Sequence, residues 1–243
     1  MKICVAQTNP VKGEISINIE NHLALTELAL DQGIEVILFP ELSLTGYEPE
    51  LAQELAMDPT DMRLDAFQQV SDRHQVTLGL GMPVRGVKGI YISLVFFQAH
   101  SPRQVYSKQY LHQDEDPYFI PGTDQLCLTT GSHKISPAIC YELSIPAHAD
   151  LAVKNGASIY MASVAKTSLG VDKAEIRLSE IARQYSIPVM MSNCIGFCDH
   201  FLAAGRSSVW NKEGERLGQL NDSQEGLLIY DTDTGSVLEM TAG

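Results

Sequence analysis

A thiol, a carboxylate and an amine, groups that together can do nucleophilic and acid-base chemistry, each stand at the end of a predicted strand in this chain. Cys140 closes the run 135–139 in SPAICYELSIPAHA, and Pro146 suits the first turn of a following helix. The cysteine is therefore predicted on a strand-to-helix corner. Such a corner lifts a side chain clear of the sheet, and the free N–H groups of the next turn face whatever it attacks. That is the geometry of a nucleophile, although a free cysteine is more often a small buried apolar side chain. Glu41 follows the run 36–39 and precedes Gly46. A partly dry cleft there would raise its carboxyl pKa into the range a general base or acid needs, whereas a glutamate in a loop is more often simply solvated. Lys108 ends QVYSK. An ammonium near a thiol lowers the thiol pKa, whereas a lysine closing an edge strand commonly serves as surface charge.

The elements that must position these groups follow from periodicity. Residues 2–8 read as a strand broken by Asn9, Pro10 and Gly13. Ile19, Leu23, Thr26 and Leu30 recur at helical spacing up to Gly33, and 36–39 suits a short strand covered on both faces. This strand-helix-strand order puts Glu41 at a strand's carboxyl end, where open α/β sheets place their sites. The acidic stretch 49–59 is expected to be irregular, and 61–74 to be a helix carrying Leu64, Phe67 and Val70. Strands at 76–82, 90–97 and 104–108 have no helix between them, which predicts an antiparallel portion of sheet. An acidic loop, 112–122, ends in YFIPG, and strands 126–130 and 133–139 lead to the Cys140 corner.

Beyond the corner, 146–155 is predicted as a helix stopped by Gly156, and 157–163 as a strand. Ala174, Leu178, Ile181 and Tyr185 mark a helix face; 188–193, 206–210 and 226–231 read as strands; and the end from Val237 is expected to be loose. GIEVILFPE and GASIYMASV echo each other as two similar strand units, too short to be a repeat.

At 243 residues the chain suits one α/β domain spanning 1–243. Its 17 basic against 30 acidic residues give a net charge of -13, which repels a polyanion, so no nucleic-acid partner is expected. Cys4, Cys127, Cys140, Cys194 and Cys198 are odd in number and irregularly spaced, which argues against a disulfide framework and for a reducing, cytoplasmic compartment. MKICVAQTNP turns polar within a few residues and reads as neither signal nor anchor. No apolar run approaches the roughly 20 residues that span a bilayer, so no membrane association is expected.

Together, FPELSLTGY with Glu41, YSKQYL with Lys108 and AICYE with Cys140 resemble the nitrilase superfamily of carbon-nitrogen hydrolases, whose family triad is Glu-Lys-Cys. Glu115 in EDPYFIPG matches a second glutamate of that family, and GRSSVW a motif near the carboxyl end. The resemblance covers nearly the whole chain. It implies a four-layer α-β-β-α sandwich, commonly a homodimer, that cleaves a non-peptide carbon-nitrogen bond in a small linear amide through a thioester, without a cofactor. Cys140 would be the nucleophile and Glu41 the proton carrier. Lys108 and the Tyr141 N–H would stabilise the oxyanion, and Glu115 would orient Lys108 or the substrate. Tyr47, Tyr141 and Lys166 would contact the substrate. The alternative, a catalytically inactive relative serving as a binding or assembly module, would be marked by a broken triad.

The chain departs from the resemblance after the cysteine. Where many relatives carry R-F-P-E, it has Ser144, Ile145, Pro146 and Ala147. Lys166, just past the strand through Ser163, could supply a replacement cation for a substrate carboxylate, although a lysine in a loop more often stands solvated. Cys194, Cys198, Asp199 and His200 fit no zinc spacing, and the run His112, Asp114, Glu115, Asp116 reads as a solvated face. No metal is expected.

Overall fold

The computed structural model describes residues 1–241. Its elements run β1 (Lys2–Gln7), α1 (Ile15–Leu30), β2 (Val36–Leu38), α2 (Ala52–Leu55), α3 (Asp65–His74), β3 (Thr77–Arg85), β4 (Ile90–Phe97) and β5 (Gln104–Ser107). Then come β6 (Leu128–Thr130), β7 (His133–Ile139), α4 (Pro146–Lys154), β8 (Ile159–Val164), α5 (Ser168–Tyr185), β9 (Val189–Asn193), β10 (Ile195–Cys198) and β11 (Phe201–Ala204). The chain finishes with β12 (Ser208–Trp210), β13 (Arg216–Gln219), β14 (Gly226–Asp231) and β15 (Val237–Thr241).

Two sheets result. One has the order β15-β14-β1-β2-β3-β4-β5 and the other β13-β12-β9-β8-β7-β6, with β10 and β11 as a separate hairpin. The β1, β2 and β3 neighbours run parallel, as do β7, β8 and β9, because a helix crosses between consecutive members. β3, β4 and β5 are antiparallel, as their short connections require.

Three apolar layers hold these parts together, and each strand's alternation decides which layer its side chains join. Ile3, Val5 and Leu38 of one sheet meet Ile135, Ile139 and Met161 of the other in the central layer. Cys4, Ala6 and Ile37 face outward onto Ile19, Leu25 and Ala29 of α1 and Phe67 of α3. Tyr160 and Ala162 face Val171, Leu178 and Ile181 of α5 on the opposite side. This is a four-layer α-β-β-α sandwich. Each fully buried large side chain contributes roughly 1.5 to 3 kcal/mol, so the register of both sheets is strongly specified.

Helix ends follow local chemistry. Pro146 opens α4, and the Thr167 hydroxyl accepts from the Gly170 N–H at the start of α5. The helix predicted over 61–74 begins at Asp65 instead, after a 3-10 turn, Met62–Leu64, capped by the Asp61 carboxylate.

Three expectations are corrected. The end from Val237 is not loose, since β15 pairs antiparallel along β14 from Val237↔Tyr230 to Thr241↔Gly226. None of its residues is fully buried, and only Val237 and Met240 pack partly against the core, so backbone pairing largely makes the strand and periodicity could not reveal it. The last two residues, 242–243, lie outside the described residues. The stretch 49–59 is not wholly irregular, for it forms a 3-10 turn, Pro49–Leu51, that runs into α2. β10, β11 and β13 lie in what the sequence reading left as connections. No helix among the described residues is long and apolar enough to cross a membrane.

Candidate active site

Glu41, Lys108 and Cys140 lie just past the ends of β2, β5 and β7, and local backbone contacts fix each of them. After β2 the chain turns sharply at 41–45, with Leu42 at φ +52. A Cβ on Gly81 of the neighbouring β3 would lie 2.1 Å from the Pro40 carbonyl and 2.6 Å from the Leu42 nitrogen. Glycine is required there for the Glu41 turn to sit on the sheet. Lys108 follows β5, where its N–H donates to the Ile92 carbonyl and its carbonyl accepts from the Gly122 N–H, each at 2.8 Å. Cys140 ends β7 at φ +43, in the left-handed region that side chains with a Cβ rarely enter. The predicted corner is real, and it opens a 3-10 turn, Cys140–Ser144. Its first turn leaves the Tyr141 N–H without an intrahelical acceptor.

The structure brings the predicted residues together. The Lys108 Nζ donates to Glu41 Oε1 at 2.7 Å and to Glu115 Oε1 at 2.6 Å, with all three side chains buried. Glu41 Oε2 accepts from the Ala165 N–H at 3.2 Å, and the Cys140 Sγ faces the Ala165 carbonyl at 3.9 Å. Glu115 is itself fixed, accepting from the Tyr47 hydroxyl at 2.9 Å and from the His112 N–H at 2.8 Å. The echo between GIEVILFPE and GASIYMASV also has a spatial meaning. The ends of β2 and β8 meet across the two sheets, where the Ser163 hydroxyl donates to the Phe39 carbonyl at 2.8 Å.

Electrostatics assign a protonation state to each member. Burial alone would lower the Lys108 pKa, but Glu41, Cys140 and Glu115 together hold it above the ordinary lysine value, so the ammonium stays charged. Burial pushes the Glu41 carboxyl up, against the pull of Lys108 and with the push of Glu115. Burial and the Glu41 charge likewise raise the Cys140 thiol, with Lys166 and Lys108 opposing. The resting sulfur is therefore a neutral thiol, and it needs a base beside it to become a nucleophile.

A cavity of about 240 Å³ opens over Cys140, lined also by Tyr47, Glu115, Tyr141, Lys166 and Phe201. The three expected substrate contacts, Tyr47, Tyr141 and Lys166, thus share one wall system with the thiol. Glu41 and Lys108 lie behind that wall. Tyr47 has its hydroxyl committed to Glu115 and its ring edge-on to Phe201 at 5.6 Å, so it offers the cavity a ring face. Lys166 has its N–H on the Asn193 side-chain oxygen at 2.9 Å and its carbonyl on the Ala204 N–H at 2.9 Å. No carboxylate among the described residues lies within 4 Å of its ammonium.

Sequence reading missed three contributors. Phe201 stands on the β10–β11 hairpin, signalled only by the alternation IGFC/FLAA around Asp199 and His200, with Asp199 at φ +47 in the turn. Ala165 acts through its backbone, which leaves no trace in residue type. Glu142 is fully buried and its carboxyl is pushed up to about 7, by burial against hydrogen bonds from Ile139, Tyr106 and Gln109. Cys194 and Cys198 lie 3.5 Å apart, sulfur to sulfur, and buried. No cluster of three or more His, Cys, Asp or Glu side chains among the described residues could hold a metal ion.

The sequence profile of the carbon-nitrogen hydrolase family matches residues 2–241. The chain is 26% identical to a glutamine-dependent NAD(+) synthetase of Thermotoga maritima over 99% of its own length and 43% of that protein's. It is 24% identical to a protein of Staphylococcus aureus described as hydrolase in agr operon, over 94% of this chain and 90% of that one. It thus spans less than half the length of the synthetase. The amidase from Nesterenkonia sp. AN1 has the same fold, with a TM-score of 0.86 at 23% identity over 95% of this chain and 92% of that one.

Proposed function

The chain belongs to the carbon-nitrogen hydrolase family, and from that premise we propose that it hydrolyses a small linear amide through a thioester on Cys140. Glu41 takes the proton from the Cys140 thiol, and the sulfur adds to the amide carbon. The oxyanion so formed is stabilised by the Lys108 ammonium and the Tyr141 N–H, donors that count most once charge has developed. As the tetrahedral species collapses, the carbon-nitrogen bond breaks and Glu41 returns its proton to the leaving amine. Water then enters, Glu41 takes one of its protons, and the hydroxyl displaces the sulfur, releasing the acid and restoring the thiol. Glu115 holds the Lys108 ammonium through a second hydrogen bond beside that to Glu41.

The observation that carries this reading is the buried pairing of Lys108 with Glu41 and Glu115, on a site whose carboxylate and sulfur share Ala165. An ion cluster that costly to bury is placed where it can serve bond cleavage.

The cavity's size and charge narrow the substrate. At about 240 Å³ it falls below the roughly 300 to 1,000 Å³ of sites for drug-sized ligands, and Lys166, which pairs with no carboxylate among the described residues, offers it a cation. The substrate class that fits is an amide of a few carbons whose far end bears a carboxylate. Glutamine is such a compound, and the curated synthetase relative is described as glutamine-dependent. Another structure of the Nesterenkonia amidase is described as showing Michael addition of acrylamide at the active site cysteine, which supports giving Cys140 the same part.

The expected homodimer belongs to this proposal too, with α5 exposing Leu169 and Ile176 for a second copy. Ammonia release from a panel of propionamide, butyramide, glutamine and glutaramate tests the reading. Turnover of at least one, lost in Cys140→Ala, is expected; a panel left intact by the wild-type protein would contradict it.

A further inference from the structure

The Glu142 carboxylate has no part in the steps above, yet it joins the two segments that carry Lys108 and Cys140. Its Oε1 accepts from the Gln109 N–H at 2.6 Å, one residue after Lys108. Its Oε2 accepts from the Ile139 N–H at 2.6 Å, one residue before Cys140. We propose that Glu142 is a positioning residue that sets the Lys108 ammonium at its working distance from Cys140. This rests on the amide-hydrolysis reading above.

The topology shows why such a link is needed. β5, which leads into Lys108, is the edge of one sheet, and β7, which leads into Cys140, belongs to the other. No ladder of backbone hydrogen bonds runs between them. The sheets meet mainly through apolar packing, which is strong but non-directional, and the cross-sheet bonds from Ser163 to Phe39 and from Ser192 to Ala6 lie at other strands. Two short, charge-assisted bonds from one carboxylate supply direction, because each is about twice as strong as a neutral one and geometrically strict.

The remaining partners keep that carboxylate in one pose. The Tyr106 hydroxyl reaches Glu142 Oε2 at 2.7 Å and His148 Nε2 at 2.7 Å, and His148 Nδ1 meets the Tyr160 hydroxyl at 2.8 Å. One placement of protons satisfies every member. Tyr160 donates to His148 Nδ1, His148 donates from Nε2 to Tyr106, and Tyr106 donates to the carboxylate. His148 is then neutral, as its burial requires. An amide at position 142 cannot replace the carboxylate. Its NH2 group would face the N–H of either Gln109 or Ile139, donor against donor.

A misplacement of about 1 Å at a reacting group can cost on the order of a hundredfold in rate. Glu142→Gln is therefore expected to lower kcat by on the order of tenfold to a hundredfold, with KM changed by less than about threefold, because the cavity wall stays in place. Tyr160→Phe is the control. It removes a buried hydroxyl from the far end of the same chain, touches neither backbone N–H, and is expected to lower Tm while leaving kcat within about threefold. If Glu142→Gln is not recovered folded, Glu142→Asp decides the same point, since a carboxylate one methylene shorter cannot span both N–H groups.

A folded position-142 variant with wild-type kcat would overturn the proposal. So would a Tyr160→Phe protein that loses kcat as heavily, since the defect would then follow buried hydrogen bonding at large. Either result leaves the amidase reading standing as long as Cys140→Ala is inactive. A wild-type protein no more active than Cys140→Ala removes both.

Discussion

Glu41 and Cys140, 99 positions apart in sequence, are held by the two main-chain polar atoms of one residue. The Ala165 N–H donates to Glu41 Oε2 at 3.2 Å, and the Ala165 carbonyl faces the Cys140 Sγ at 3.9 Å. The end of β8 therefore sets the proposed base and nucleophile together, while Lys108 grips the other oxygen of Glu41. Burial raises the Glu41 carboxyl, which makes it a stronger base toward the thiol beside it than an ordinary glutamate would be.

Glu41→Gln and Lys108→Ala should both lose turnover, but they should differ in stability. Glu41→Gln keeps the shape of the site and removes the base, at a loss of on the order of a hundred to ten thousandfold in kcat. Lys108→Ala leaves Glu41 and Glu115 buried without their cation, and breaking a buried pair in this way costs about 3 to 5 kcal/mol. Urea denaturation beside initial rates checks the pair. Equal stability of the two variants would mean that the cluster relaxes or takes up protons.

The pH profile of kcat/KM should have its acid limb above the ordinary glutamate value of about 4.3. Glu41 must be ionised to accept the thiol proton, so activity is present above its folded pKa and lost as pH falls through it. Burial moves that pKa up. A limb at or below the ordinary value would assign the proton transfer elsewhere.

Acid should weaken the fold partly through His22. It is buried, with Nδ1 on the Asn18 carbonyl at 2.6 Å and Nε2 on the Ser43 hydroxyl at 2.8 Å, and burial pushes its pKa down to about 4 against the Asn18 bond. Unfolded, it binds a proton near 6.5, so between those values the unfolded chain holds more protons and stability rises with pH. Relative to His22→Gln, the wild-type protein should lose up to about 3 kcal/mol between pH 6.5 and pH 4. Parallel stability curves for the two proteins would show that His22 is charged in the fold.

Lys166→Ala should act on binding and on one kind of substrate. For an amide with a terminal carboxylate, KM should rise on the order of tenfold to a hundredfold, the range of roughly 1.5 to 3 kcal/mol for a hydrogen bond to a charged group. For a neutral amide of the same length, KM should change by less than about threefold. Equal effects on both would move Lys166 from substrate recognition to the electrostatics of Cys140.

How much of this was legible in the sequence follows the physics of each part. β1, β2, β7 and β8 bury side chains in two layers and so print an apolar run, and the runs of β2 and β7 lead to Glu41 and Cys140. Glu41, Lys108 and Cys140 stood out in the sequence by residue type and by their places after predicted strands. Their mutual contacts did not, because they depend on how two sheets stack and on a backbone group, Ala165, that any residue would supply. β15 was invisible because none of its side chains is fully buried. The β10–β11 hairpin was hidden because Phe197 and Leu202 point their apolar surface to solvent, which blurs the alternation. Glu142 stood beside Cys140 in AICYE, yet only coordinates show that its two oxygens reach different sheets.

The central claim, that Cys140 carries the acyl group, is tested most directly by the mass of the intact protein after rapid acid quench during turnover of a small amide. The account predicts a single added acyl mass that maps to Cys140 and is absent from Cys140→Ala, with Cys127→Ala labelled like the wild type. An unmodified protein during steady turnover, or an acyl group on any other residue, would contradict it.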